Sequence, residues 1–145
     1  MAVKLPSKLF IDSAALIAVF NKNDQHHKTA TDYYGTLTKS TSLITTLLVV
    51  SETYTWFRYH LNHKIAIDFL DVVEEAIALE WLKIIYPDPF LNNQAQNILR
   101  YYSDQDLSYV DAVNIAVLQN MKIKDVFSFD SHFYIVKSNV WPMGY

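Results

Sequence analysis

Four carboxylates have the residue types and positions that metal chemistry requires. Asp12 and Asp130 each follow an apolar, strand-like run, whereas Glu52 and Asp111 lie near the starts of helical segments. Each has an ordinary explanation by itself, since acids commonly cap helices, face helix dipoles or form turns. In a parallel α/β sheet, however, strand ends and the starts of the following helices meet at one edge. Carboxylates gathered there would repel one another unless a cation neutralised them, so the pattern predicts a divalent metal site.

The composition limits which ion and which chemistry fit. The chain has no cysteine, which excludes disulfides, thiolate metal sites and a cysteine nucleophile. Carboxylate oxygens without thiolates suit Mg²⁺ or Mn²⁺ better than Zn²⁺. Gly35 and Gly144 are the only glycines, so the glycine-rich phosphate loops of kinases, P-loop NTPases and Rossmann enzymes are also excluded.

The length and charge indicate one soluble domain. With 145 residues, of which 51% are hydrophobic and 19% charged, the chain can build one core, and we assign residues 1–145 to a single domain. The net charge of −3 argues against nucleic-acid binding driven mainly by counterion release, but it permits a site where a metal bridges acidic groups to nucleic acid. No apolar stretch reaches the roughly 20 residues that cross a bilayer. We therefore expect a cytoplasmic protein without membrane association.

Strand-like and helix-like segments alternate along the chain, and this alternation positions the carboxylates. Short β-rich runs occupy residues 8–11, 41–45, 81–86 and 125–129. Apolar periodicity and capping patterns predict helices over residues 14–20, 24–39, 47–60, 65–79, 92–102 and from the Ser108 cap to residue 118. Because parallel neighbours need crossover connections, this order predicts a parallel sheet with helices on both faces.

The sequence blocks that carry the four acids resemble the signature of PIN-domain nucleases. These blocks are FIDS at residues 10–13, SET at 51–53, DLSYVDA at 106–112 and FSFDSHF at 127–133. The last block is the most specific, and Asp130 follows Asp111 by 19 residues. Their order, this spacing and the chain length are similar to those of small ribonuclease toxins of the VapC type. The resemblance covers residues 9–141.

The resemblance implies a fold and a metal site. The fold is an α/β, PIN-like parallel sheet of about five strands, so a short fifth strand is expected near residues 135–140. Four acids are assigned as catalytic residues and ligands of Mg²⁺ (or Mn²⁺): Asp12, Glu52, Asp111 and Asp130. We predict that Asp12 and Asp130 hold the principal ion, and that the other two complete its coordination directly or through water.

Further residues have supporting places around this site. Ser13 and Ser128 are expected to contribute hydroxyl groups, and Asp106 and Asp104 are weaker candidates because their spacing also suits a solvated loop. None of the five histidines is assigned as a metal ligand. His132 is expected to pack beside Phe133.

The activity implied by the resemblance is hydrolysis of RNA phosphodiester bonds by the toxin of a toxin–antitoxin pair. Bound metal would activate water and neutralise charge on the transferring phosphoryl group. A basic and aromatic stretch supplies three candidate RNA-binding residues: Arg58, His60 and Lys64. The aromatic residues of that stretch also fit a core or a dimer contact. The implied partners are RNA, a second copy of the chain and a small antitoxin that blocks the acidic site.

Two other functions stay open. A catalytically inert PIN-like interaction module would keep the acids for folding or for binding a basic segment, and metal-dependent activity separates it from the enzyme. A metal-dependent phosphatase-type or phosphotransfer receiver domain also carries acids at strand ends. Asp12-Ser13-Ala14 lacks the second acid expected beside a nucleophilic aspartate, which disfavours that class.

Overall fold

Five parallel strands form one sheet in the computed structural model of this chain. The structure describes residues 4–142, so residues 1–3 and 143–145 of the predicted domain lie outside it. The strands are β1 (Lys8–Ile11), β2 (Ser42–Thr46), β3 (Leu82–Ile85), β4 (Asp125–Phe127) and β5 (Asn139–Trp141). Their order is β3-β2-β1-β4-β5, and every neighbouring pair is parallel. The predicted five-stranded parallel sheet is confirmed.

Helices connect the strands, and all but the second begin at a residue whose side chain caps them. They are α1 (Ser13–Phe20), α2 (His27–Thr36), α3 (Leu47–His60), α4 (His63–Ala78), α5 (Pro89–Tyr101) and α6 (Tyr109–Met121). Polar side chains accept a backbone N–H in the first turn of five of them: Asp12, Thr46, Asn62, Asp88 and Ser108. These bonds satisfy amides that have no partner inside the helix. Among residues 4–142, no helix has the length and apolar character that spanning a membrane requires.

Apolar side chains leave the central strand in alternating directions and build a core on each face of the sheet. Phe10 packs on one face with the buried residues of α5 and α6. Leu9 and Ile11 pack on the other face with the small residues of α1 and α2. Because strand side chains alternate with a period of two, one strand supplies both cores. The prediction of helices on both faces is therefore confirmed.

The fifth strand begins later than residues 135–140 predict. A 3₁₀ helix occupies Ser131–Val136, and β5 follows only at Asn139. Lys137 ends the 3₁₀ helix with a left-handed backbone at φ 58°. Phe133 is 2% exposed and packs against the ring of Phe10. Phe133 and Val136 therefore pack on the core from a helical turn rather than from a strand.

Candidate metal centre

Three side chains bring potential metal ligands together at the carboxyl end of β4. Asp111, Asp130 and His132 each offer a ligand atom, and these atoms all lie within 4.8 Å of one another. His132 Nδ1 is 3.3 Å from Asp111 Oδ2 and 3.0 Å from Asp130 Oδ1. The side chains of Asp111, Asp130 and His132 are 18%, 31% and 32% exposed, so an ion can reach them from solvent.

Local hydrogen bonds orient the two carboxylates. Asp111 forms a capping box with Ser108: its carboxylate accepts the Ser108 backbone N–H at 2.9 Å, and its own N–H donates to the Ser108 hydroxyl at 3.0 Å. Asp130 caps the following 3₁₀ helix, where its Oδ1 accepts the backbone N–H of His132 at 2.9 Å. The structural and the metal-binding interpretations of these acids are thus compatible, because capping leaves carboxylate lone pairs available.

Asp12 is the buried acid of the site. It is 4% exposed, follows β1 and caps α1 by accepting the backbone N–H of Ala15 at 3.1 Å. Its pKa is raised from 3.8 to about 7: burial is the largest cause, the negative charges of Asp130 and Asp111 add to the rise, and hydrogen bonds from Ser128 and Ala15 oppose it. An ionised carboxylate here therefore lacks the solvation that an exposed acid has.

Ser128 joins two of the acids. Its hydroxyl donates to Asp12 Oδ2 at 2.5 Å and accepts the backbone N–H of Asp130 at 2.8 Å. Ser128 is fully buried directly after β4, and β4 is a neighbour of β1 in the sheet. One hydroxyl consequently sets the position of the Asp12 carboxylate relative to the Asp130 backbone.

Glu52 approaches the site from a different element. It is exposed on the second turn of α3, and its Oε1 accepts the Ser13 hydroxyl at 2.5 Å. Since Ser13 follows Asp12 directly, this bond ties α3 to the start of α1. Glu52 lies outside the group of three close ligand atoms in the part of the chain that the structure describes.

The other candidate residues are outside this group of close ligand atoms among residues 4–142. Asp104 and Asp106 are exposed in the loop between α5 and α6. Arg58 and His60 are exposed near the end of α3, and the His60 ring stacks on Trp56 at 4.4 Å. Lys64 forms an exposed ion pair with Asp68 at 2.8 Å on α4.

The histidine in this group is the residue that sequence reasoning missed. The expectation that His132 packs beside Phe133 is wrong, because Phe133 turns into the core while the His132 imidazole faces two carboxylates. The signal was present in the Asp130-Ser131-His132 spacing. A strand would also have placed Asp130 and His132 on one face, but it would not have brought them back to Asp111. The spacing therefore predicts a metal ligand only when the segment is known to form a tight helical turn.

Comparison with known proteins agrees with this fold. The family model of the PIN domain matches residues 9–139. The chain belongs to the PIN domain family. This PIN domain is 27% identical over 126 residues to the 23S rRNA-specific endonuclease VapC20 of Mycobacterium tuberculosis, a match that covers 86% of this chain and 91% of VapC20.

Solved structures share the architecture of this PIN domain. The crystal structure of VapC20 from Mycobacterium tuberculosis, described as a toxin that cleaves the sarcin–ricin loop, superposes with a TM-score of 0.78 at 25% identity and covers 88% of this chain and 94% of its own. The structure of VapBC2 from Rickettsia felis bound to a promoter DNA fragment superposes with a TM-score of 0.65 at 12% identity, covering 92% of this chain and 96% of the other. The second likeness concerns the fold alone.

The donor set of this PIN domain fits a divalent cation. Neighbouring ligands of an octahedral ion with bonds of about 2.1 Å lie about 3.0 Å apart. The Nδ1 atom of His132 lies 3.0 and 3.2 Å from the two Asp130 oxygens and 3.3 Å from Asp111 Oδ2, which is the same range. Burial is the largest cause of the raised pKa of Asp12, and a cation would relieve the smaller part that the charges of Asp130 and Asp111 add.

Proposed function

We propose that this PIN domain is a divalent-metal-dependent endoribonuclease that hydrolyses RNA phosphodiester bonds, and that it is the toxin of a toxin–antitoxin pair. The observation that carries the proposal is the meeting of Asp111 and Asp130 beside buried Asp12 at the carboxyl edge of the sheet. Active sites of parallel α/β folds lie at this edge. The similarity to VapC20, an endonuclease specific for 23S rRNA, supports RNA as the substrate.

Four carboxylates are assigned to the metal site in this proposal: Asp12, Asp111, Asp130 and Glu52. When bound, Mg²⁺ or Mn²⁺ supplies an activated water and neutralises charge on the phosphoryl oxygens. Asp12 and Asp130 would hold the ion as predicted, Asp111 would join them because its carboxylate lies within 4.8 Å of that of Asp130, and Glu52 would complete the coordination directly or through water.

The surrounding hydroxyls and backbone groups keep these carboxylates in place. Ser128 fixes Asp12 and the Asp130 backbone together, and Ser13 holds the Glu52 side chain toward the start of α1. Such preorganisation matters because phosphoryl transfer depends mainly on positioning and charge neutralisation. Ser13 and Ser128 therefore act as positioning residues, and Asp106, exposed in the loop before α6, stays the weaker supporting candidate.

RNA contacts are assigned to Arg58, His60 and Lys64. Arg58 and His60 lie six and eight residues beyond Glu52 on α3, which corresponds to about 9 and 12 Å along the helix axis. This distance suits contact with phosphates or bases flanking the cleaved bond rather than with the bond itself. The ion pair of Lys64 with Asp68 is exposed to solvent and weak enough for a phosphate to replace it.

Exposed aromatic residues support protein partners, namely a second copy of the chain and a small antitoxin. Tyr59, Phe90 and Tyr101 are 80%, 67% and 79% exposed, and large aromatic residues are enriched at protein interfaces. Structural neighbours include VapBC2 and VapBC-1 assemblies. Light scattering after size exclusion is expected to give a dimer, and a strict monomer across micromolar concentrations would contradict it.

The nuclease assay uses RNA hairpins with and without the sarcin–ricin loop sequence, and a labelled single strand, in Mg²⁺ or Mn²⁺. Cleavage is expected in the wild type and is expected to disappear in EDTA and in Asp12→Asn. Asp88→Asn is the matched control, because Asp88 also caps a helix, α5, but is exposed. Cleavage that survives EDTA or Asp12→Asn would refute the proposed chemistry, and cleavage of no RNA would favour the inert interaction module.

A further inference from the structure

The imidazole of His132 faces both carboxylates of the acidic group. Its Nδ1 lies 3.0 and 3.2 Å from the two oxygens of Asp130 and 3.3 Å from Asp111 Oδ2. A single nitrogen is thus directed at three oxygens that belong to two different elements, α6 and the turn after β4. Sequence reasoning assigned only oxygen ligands to this centre, so this nitrogen has no role in the function proposed above.

The backbone, rather than a flexible side chain, sets the place of this imidazole. The His132 N–H donates to Asp130 Oδ1 at 2.9 Å in the first turn of the 3₁₀ helix. The next residue, Phe133, is 2% exposed and packs on Phe10 of the central strand. Lys137 N–H closes the other end of the helix on the carbonyls of Phe133 and Tyr134. The ring is therefore held at the site by a turn anchored in the core.

We propose that Nδ1 of His132 is a direct ligand of the ion held by Asp111 and Asp130, and that it makes the centre favour Mn²⁺ over Mg²⁺. The inference rests on the proposed metal-dependent function and specifies its ligands. Mg²⁺ prefers an all-oxygen shell, whereas imidazole nitrogen binds first-row transition ions better. Replacing one of the oxygens around the ion by nitrogen should therefore lower the affinity for Mg²⁺ and raise the affinity for Mn²⁺.

Two substitutions at one position separate the presence of a ligand from the nature of its atom. His132→Ala removes the ligand, whereas His132→Asn offers an amide oxygen at the reach of the original Nδ1. Both variants keep the backbone N–H that donates to Asp130. The side chain is 32% exposed, so neither change empties a core position. His63→Gln, at the exposed start of α4, is the control for a histidine away from the centre.

Affinities for Mn²⁺ and Mg²⁺ alone are measured by calorimetry, and bound Mn²⁺ is examined by pulsed electron paramagnetic resonance. We expect the wild type and His63→Gln to show directly coordinated nitrogen and the same Mn²⁺ affinity. His132→Ala should weaken Mn²⁺ binding by about 10- to 100-fold, a loss that even an outer-shell partner of a metal ligand can produce. His132→Asn should bind Mg²⁺ more tightly than His132→Ala but should lack the preference for Mn²⁺. Mn²⁺ bound to His132→Asn should show no directly coordinated nitrogen.

The outcomes distinguish this inference from the proposed function. The inference would be overturned if the wild type showed no directly coordinated nitrogen, His132→Ala bound Mn²⁺ as tightly as the wild type, and Asp130→Asn lost Mn²⁺ binding. That result would leave the metal-dependent nuclease intact. Absence of Mn²⁺ and Mg²⁺ binding in the wild type, together with no metal-dependent cleavage, would refute both. Equal losses of Mn²⁺ and Mg²⁺ affinity in His132→Ala would keep the ligand but overturn the selectivity.

Discussion

Ionised Asp12 should destabilise the metal-free protein, so that removing its charge stabilises the fold while abolishing activity. The side chain is 4% exposed. Burial is the largest cause of its raised pKa, and the charges of Asp130 and Asp111 add to it. Functional residues often carry such a cost, because a site that attracts a ligand gathers groups that repel one another without it.

The magnitude follows from linkage between protonation and folding. A pKa raised from 3.8 to about 7 means that ionisation of Asp12 costs the folded state about 4 kcal/mol relative to the unfolded chain. Between these two values the folded state keeps a proton that the unfolded chain has released, so stability falls as the pH rises. The free energy of unfolding in EDTA should therefore drop by about 3 kcal/mol between pH 5 and pH 8 through this residue.

Asp12→Asn removes the charge and keeps most of the geometry. The amide oxygen can still accept the Ala15 N–H, and asparagine is a good helix cap. Its amino group faces the Ser128 hydroxyl, which must then accept instead of donate, at a cost of about 1 kcal/mol. In EDTA we expect the variant to be about 3 kcal/mol more stable than the wild type at pH 8, and less than about 1 kcal/mol more stable at pH 5.

Urea unfolding followed by tryptophan fluorescence measures this difference at both pH values. Asp88→Asn is the control, because it replaces an exposed capping acid and should change stability by less than about 0.5 kcal/mol at either pH. Adding Mn²⁺ should stabilise the wild type and not Asp12→Asn. A variant less stable than the wild type at pH 8 in EDTA, or a difference that does not depend on pH, would refute the reasoning.

Three further predictions test the neighbouring parts of the structure. Ser128→Ala removes the hydroxyl that donates to Asp12 and accepts a backbone N–H. Urea titration should show that the free energy of unfolding falls by about 1–3 kcal/mol, and RNA cleavage should be slower. An unchanged cleavage rate would contradict the positioning role of Ser128. Phe133→Ala empties a buried ring site and should cost about 3–5 kcal/mol, so a Tm equal to that of the wild type by circular dichroism would show that the ring does not anchor the 3₁₀ helix. Arg58 and Lys64 are both exposed, so Arg58→Ala and Lys64→Ala should leave the Tm unchanged. Each should weaken RNA binding in a filter assay and lower the slope of log affinity against log salt concentration by about one. Unchanged RNA binding in both variants would remove these residues from the RNA interface.

The elements and the family could be predicted from the sequence because their signals are local. The cap residues Asp12 and Ser108 bond to amides three residues ahead, and the apolar runs before Asp12 and Asp130 are short enough to identify as strands. Strand and helix alternation then leaves few arrangements other than a parallel sheet. The resemblance in the four acidic blocks is confirmed by the PIN domain match over residues 9–139.

Which side chains meet at the site was decided only by the tertiary structure. Ser128 and Asp12 are 116 residues apart and share a hydrogen bond because β4 pairs with β1 in the order β3-β2-β1-β4-β5. His132 reaches Asp111 because the segment before β5 coils into a 3₁₀ helix, whereas Glu52 on α3 reaches Ser13 instead. Local periodicity specifies how each segment folds, but distances between segments depend on how the whole sheet and its two cores pack, and no short stretch of sequence contains that information.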